Sequence, residues 1–212
     1  MEIIMDTINI LLVDDHEIVR AGYHRLLENT EDIKIIAETD SGENAYRIYT
    51  QLQPDVVIMD LSMPGIGGLE AARKIRKYDN EARILIFSVH ENEIFLNRTL
   101  DAGVLGYITK RSAAKIMVEA VRTVAKNQQF IGQELQHFLV KSNNDLFEQL
   151  SPREFEVFLL LAEGKSVNEI AEVLILSSKT IGHHYTKLKK KLKINNTVEL
   201  TKLAIDRGFL NM

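Results

Sequence analysis

Asp55–Gly68, DVVIMDLSMPGIGG, joins a short apolar run to a loop rich in Pro and Gly. Val56–Met59 is apolar at consecutive positions and largely β-branched, the pattern of a strand covered on both faces in a parallel sheet. The run delivers one carboxylate, Asp60, into the loop. Open α/β sheets keep their chemistry just past the carboxyl ends of their strands. Many such strands end in Asp merely as a helix cap, so the surrounding chain decides what Asp60 means.

On either side of this stretch, strand-like runs alternate with amphipathic ones. Strands are expected at Ile8–Val13, Ile33–Glu38, Val56–Met59, Ile84–Ser88 and Gly106–Ile108. Helices are expected over Glu17–Leu27, Ser41–Leu52 (opened by a Ser cap), Gly68–Tyr78, Asn92–Ala102 (closed by Gly103) and Ala113–Lys126. Five βα units in series predict a doubly wound parallel sheet with right-handed crossovers.

The strand exits carry polar residues of a particular kind. The first strand ends in Asp14 and Asp15, the third in Asp60, the fourth in Ser88, and the fifth in Thr109 and Lys110. Three carboxylates at one sheet edge resist joint ionisation. A hard divalent cation relieves that, and oxygen-only ligation with retained waters suits Mg²⁺. A lysine opposite, with a hydroxyl and backbone N–H groups, suits the oxygens of a phosphoryl group. The chemistry implied is phosphoryl transfer onto a carboxylate. Asp60, alone at the central exit, is the expected nucleophile, with Asp14 and Asp15 as metal ligands. Taken singly, the acid pair reads as a helix cap and Ser88 or Lys110 as a surface residue. Four matching exits in order favour the joint reading.

Residues 8–127 resemble the receiver domain of bacterial two-component response regulators, through VDDH (Val13–His16), MDLSMPGIGG (Met59–Gly68), Ser88 and GYITK (Gly106–Lys110). The resemblance implies a flavodoxin-like sheet of order 2-1-3-4-5. It also implies Mg²⁺ held by Asp14, Asp15, Asp60 and the backbone carbonyl of Ser62, and phosphorylation of Asp60 by a sensor histidine kinase. Ser88 and Lys110 would contact the phosphoryl group, and Ser88 with Tyr107 would form the switch. Such a domain catalyses only its own phosphorylation and dephosphorylation, so the chain is not expected to be a turnover enzyme. Read without the family, Tyr107 is a half-buried strand aromatic.

Composition sets outer bounds. The 212 residues allow one large domain or two modest ones, and 45% hydrophobic residues are ordinary for a globular chain. Without Cys there is no disulfide framework and no thiolate metal site. MEIIMDT is not a secretory signal, and no window suggests a membrane span, so a cytoplasmic location with no membrane partner is expected. The net charge of −4 is unevenly spread: residues 1–127 hold 15 Lys and Arg against 20 Asp and Glu, residues 128–212 hold 11 against 10. Ser177–Ile194 carries six Lys and no acid, the pattern of an anion-binding segment behind an acidic domain.

The expected division is 7–127 for the first domain, 128–147 for a linker and 148–212 for the second domain. Within the linker, Gln133–Val140 reads as one or two helical turns and Ser142–Asp145 as a joint. Four all-α elements follow. Ser151-Pro152-Arg153-Glu154 and Ser166-Val167-Asn168-Glu169 are capping boxes, Gly164 closes the first helix, Ser177 opens the third, and Asn196 with Glu199 opens a fourth ended by Gly208. The second and third helices are separated only by Leu174–Leu176, the spacing of a helix–turn–helix that sets its second helix in a DNA major groove. In that helix Ile181, Tyr185, Leu188 and Leu192 form the buried stripe. Lys179, Thr180, Gly182, His183, Thr186, Lys187 and Lys190 form the expected DNA face, with N–H groups at its start for a phosphate. A lysine-rich helix face alone is usually solvated surface. His183 and His184 diverge by about 100° around a helix and are not read as metal ligands.

Leu150–Ile205 is similar to the LuxR-type helix–turn–helix, and the whole chain resembles the NarL/FixJ class of response regulators. MPGIGGLEA and VELTKLAI are similar to regulators of the GacA/UvrY kind. This implies a transcription regulator of double-stranded, pseudo-palindromic promoter DNA that forms a homodimer through Val198–Asp206 when phosphorylated or DNA-bound, with RNA polymerase as a candidate partner. Lys193 and Thr197 stand where Gly and Arg are common in the class. Two other readings stay open: a metal-dependent phosphatase with an aspartyl intermediate, and a ligand- or protein-gated regulator whose acidic pocket is vestigial. Against the first, no second acid stands two residues past Asp60, where Ser62 sits before Met-Pro.

Overall fold

The computed structural model describes residues 7–112, 114–139, 146–147, 149–207 and 209–210. The chain divides into two compact units, residues 1–139 and 140–212.

The first unit is built on a parallel sheet of order β2-β1-β3-β4-β5-β6. Its strands are β1 (Ile8–Val13), β2 (Ile33–Thr39), β3 (Val56–Met59), β4 (Ile84–Ser88), β5 (Gly106–Thr109) and β6 (Phe130–Ile131). Its helices are α1 (Glu17–Glu28), α2 (Gly42–Leu52), α3 (Gly67–Tyr78), α4 (Glu93–Asp101) and α5 (Ala114–Ala125). Alternation along each strand sends side chains to both faces. Ile10, Leu12, Ile58 and Phe87 pack with Leu27 of α1 and Met117, Val121 and Val124 of α5. Leu11, Val13, Val57 and Met59 point the other way and are equally buried. Both faces are therefore covered, as the continuous apolar strands predict.

The sixth strand corrects the expected five. Phe130 and Gly132 N–H groups donate to Leu105 O and Tyr107 O at 3.0 and 2.8 Å, extending the sheet beyond β5. A 3₁₀ helix, Gln133–Leu139, follows. The Glu134 carboxylate accepts from Thr109 Oγ1 (2.9 Å) and Ser112 Oγ (2.8 Å). Residues 128–139, expected to be linker, thus continue the first unit. Two residues are too few for a strand period to show. Ser41 stands at the N-cap of α2, but its side chain makes no capping bond.

The second unit holds α6 (Pro152–Ala162), α7 (Val167–Val173), α8 (Ser178–Leu192) and α9 (Thr197–Asp206). Both capping boxes form reciprocally, and Ser177 and Asn196 accept from the N–H groups of Thr180 and Glu199. Gly164 ends α6 with φ of 87°. The α7–α8 turn closes as a Schellman motif, with Leu176 N–H on Ala171 O at 2.8 Å and Ile175 N–H on Glu172 O at 3.2 Å. Ile175 takes the left-handed position there at φ 53°, unusual for a β-branched residue, and it is exposed. Phe147, expected to lie in the linker, is wholly buried among Phe155, Phe158 and Phe209. One aromatic beyond a turn carries no periodic signal of its own. The expected joint at Ser142–Asp145 and the stop at Gly208 lie outside the described residues.

Candidate functional site

β1, β3, β4 and β5 are consecutive in the sheet, so their exits line one edge. Asp14 and Asp60 are buried there at 2% and 1% exposure. The Lys110 ammonium lies between them, 2.7 Å from Asp14 Oδ2 and 2.9 Å from Asp60 Oδ2. Asp15 is half-buried. Ligand atoms of Asp14, Asp15, His16 and Asp60 fall within 4.8 Å of one another. Burial pushes the Asp60 carboxyl up, against the pull of Lys110. Burial works to lower the lysine's pKa, but the carboxylates of Asp60 and Asp14 outweigh it, and the result is raised. One ammonium among three carboxylates leaves the pocket net negative. Its hard oxygen donors fit a divalent cation, and the pocket is able to hold one.

Ser88 is fully buried, its Oγ accepting from His90 N–H at 3.4 Å. Lys110 N–H donates to Ser88 O at 2.8 Å, tying the two exits together. Ser62 is exposed; its N–H reaches Asp60 Oδ1 at 3.4 Å. Tyr107 is wholly buried rather than half-buried, and its hydroxyl donates to His90 O at 2.9 Å. Burial raises its pKa far above the usual phenol value.

On α8, Ile181, Leu188 and Leu192 are buried, and Tyr185 is half-buried with its hydroxyl 3.0 Å from Thr197 Oγ1. Lys179, His183, Thr186, Lys187 and Lys190 are exposed, while Thr180 and Gly182 are half-buried. Not every lysine of the basic segment faces outward. Lys191 bonds Glu154 Oε2 at 2.6 Å, and Lys189 lies over the Tyr185 ring.

Comparison with known proteins gives this arrangement a family. The response regulator receiver domain matches residues 10–122, and the bacterial regulatory proteins of the luxR family match 148–204. The chain belongs to the response regulators with a LuxR-type second domain. It is 40% identical over 210 residues to the response regulator UvrY of Escherichia coli K12, covering 96% of each chain. It is 36% identical to the response regulator GacA of Pseudomonas aeruginosa, covering 96% of this chain and 98% of that one. Among solved structures, RcsB of Salmonella enterica serovar Typhimurium, bound to a promoter in the presence of the phosphomimetic BeF₃⁻, is similar with a TM-score of 0.68. Identity there is 28%, covering 93% of this chain and 98% of that one.

In this response regulator the sequence reading missed two pocket neighbours. His16 sets its ring Nδ1 2.9 Å from Asp15 Oδ1, and its N–H on Asp14 Oδ1 at 2.8 Å. His90 reaches Ser62 Oγ with Nε2 at 2.8 Å and stacks on Phe95. Burial, with Lys110 nearby, pushes His90 down to about 4, so it is neutral near pH 7. Its place two residues past Ser88, on the same exit, was the available signal. No helix among the described residues is long and apolar enough to cross a membrane.

Gly182 leads to a test. A Cβ built there meets nothing within 4 Å. Packing does not require glycine, which costs about 1 kcal/mol in a helix interior relative to Ala. Gly182→Ala is expected to stabilise the second unit by about that amount, read from urea unfolding. Together with a loss of DNA affinity, it would identify the glycine as a point of close approach by the ligand.

Proposed function

We propose that this response regulator is a DNA-binding transcription regulator switched by phosphorylation of Asp60 by a sensor histidine kinase. The observation that carries the reading is the buried Asp60 at the central strand exit, paired with Lys110 and flanked by Asp14. Asp14, Asp15 and Asp60, with the Ser62 carbonyl, would hold Mg²⁺, whose charge offsets that of the transferring phosphoryl group. Asp60 attacks phosphorus in line, forming an O–P bond as the P–N bond to the kinase imidazole breaks; the imidazole leaves with the bonding pair. The Lys110 ammonium turns from the carboxylates to the phosphoryl oxygens, and Ser88 donates its hydroxyl to another. Tyr107, on the strand beside Ser88, would follow that movement by giving up its hydrogen bond to His90 O. The exposed Lys, Thr and His side chains of α8, with no acid in that helix, suit phosphates and base edges of a DNA major groove. The similarity to promoter-bound RcsB supports this. On this reading the chain acts as a homodimer in the cytoplasm and consumes one phosphoryl group rather than turning over a substrate.

Intact-protein mass after incubation with a small acyl phosphate and Mg²⁺ is the test, beside Asp60→Asn. The wild type is expected to gain one phosphoryl group and DNA affinity with it, and the variant neither. Equal promoter binding by both proteins, with no phosphoryl gain in either, would sink the switch.

A further inference from the structure

Asp14 is hydrogen-bonded through its N–H, its Oδ1 and its carbonyl, and one of the groups that hold it lies outside the pocket. Its N–H donates to Thr39 O at 3.1 Å, its Oδ1 accepts from His16 N–H, and its Oδ2 faces Lys110. Its carbonyl lies past Val13 and Thr39, the last residues paired between β1 and β2. The Arg20 guanidinium, from the first turn of α1, supplies the missing donor: Nη1 meets Asp14 O at 2.6 Å. Arg20 is in turn fixed from β2, where Glu38 Oε2 stands 3.4 Å from its Nε. The other oxygen of Glu38 bonds His24 Nδ1, and His24 Nε2 lies 3.1 Å from Glu28. The side chain of Arg20 is 19% exposed, so little water replaces it.

We propose that Arg20 is a positioning residue for the acidic pocket: by clamping the Asp14 carbonyl it fixes the Asp14–Asp15 peptide, and with it the two carboxylates that ligate Mg²⁺. The inference rests on the Mg²⁺-dependent reading above. A freed carbonyl lets that peptide turn toward water, and both carboxylates lose their common aim. Groups that orient metal ligands from outside the coordination sphere change metal affinity by about 10–100-fold when removed.

Arg20→Met keeps the aliphatic bulk and removes the donor. Calorimetric titration of the full chain with Mg²⁺ is expected to give a dissociation constant raised about tenfold. The Mg²⁺ needed for half-maximal phosphoryl uptake should rise by the same factor, with the rate at saturating Mg²⁺ kept. Arg20→Lys, which still carries a donor, should recover part of the affinity. Glu38→Gln leaves the guanidinium in place but loosens its hold, should weaken Mg²⁺ in the same direction, and decides the question if Arg20→Met does not fold. A purely structural arginine would lower the metal-free melting temperature and leave Mg²⁺ affinity alone. Wild-type Mg²⁺ affinity in the folded Arg20→Met protein overturns the proposal. A wild type that binds Mg²⁺ but takes up no phosphoryl group refutes the phosphorylation reading, and the affinity comparison still decides this one.

Discussion

Gly68→Ala is expected to destabilise the receiver by roughly 3–5 kcal/mol, in the range reserved for severe overpacking or backbone displacement. A Cβ on Gly68 would sit 1.8 Å from the carbonyl oxygen of Asp60, 2.8 Å from its carbonyl carbon and 2.9 Å from Leu61 Cα. All three are backbone atoms, so no rotamer relieves the clash; either α3 must retreat or the acceptor loop must move. Gly68 N–H also donates to Leu61 O at 3.1 Å, a bond that such a retreat breaks. The acceptor therefore shifts together with the fold, and phosphoryl uptake should fall in whatever fraction remains native. Urea unfolding followed by circular dichroism reads the stability, and intact mass reads the uptake. Gly22→Ala is the matched control. Its Cβ meets nothing within 4 Å, so a gain of up to about 1 kcal/mol is expected from helix propensity. Equal stability of the two variants would show that the acceptor loop yields without cost.

Glu154→Ala is expected to cost the second unit about 2–3 kcal/mol, between the loss of a helix cap and the breaking of a fully buried ion pair. Glu154 is 3% exposed and accepts from Ser151 N–H at 2.7 Å and from Lys191 Nζ at 2.6 Å. Lys191 also donates to Gln149 O, and Gln149 Nε2 donates to Lys191 O, both at 2.9 Å. The start of α6 is thereby locked to the end of α8. Burial works to raise the Glu154 carboxyl, but Lys191 and the Ser151 N–H outweigh it, and its pKa lies below the usual glutamate value. The folded pKa is depressed, so this stabilisation is present above the unfolded value near 4.5 and is lost as pH falls through the folded one. Unfolding midpoints of wild type and Glu154→Gln should therefore converge as the pH is lowered below the ordinary glutamate range. A gap that persists undiminished in acid would mean that the carboxylate's charge contributes nothing.

Much of the fold could be read from the chain because its signals are local. Four apolar strands with a polar group at each exit define a parallel sheet and its reactive edge before any contact is known. The capping boxes at Ser151 and Ser166 announce helix starts in four residues each, and both form. Where the signal is short or unperiodic, reading failed. Phe130–Ile131 is a two-residue strand recognised only by the edge it joins. Phe147 belongs to a short stretch with Leu146 and Leu150, too brief to show which of them is core until Phe155, Phe158 and Phe209 close on it.

The site divides along the same line. That Asp14, Asp15, Asp60, Ser88 and Lys110 share one edge followed from the sequence, because parallel strands joined by right-handed crossovers send all their carboxyl ends to one edge. What each group does to its neighbour was settled only by tertiary contact. Lys110 bridges Asp14 and Asp60, His90 stands neutral over Ser62, and Lys191 leaves the basic face of α8 to pair with Glu154. Gly68 reads in the sequence only as the glycine where the loop meets the next helix, and the carbonyl of Asp60 at its back explains why no other residue fits. Period and punctuation belong to neighbouring residues along the chain; burial, charge pairing and close approach belong to residues that the fold alone brings together.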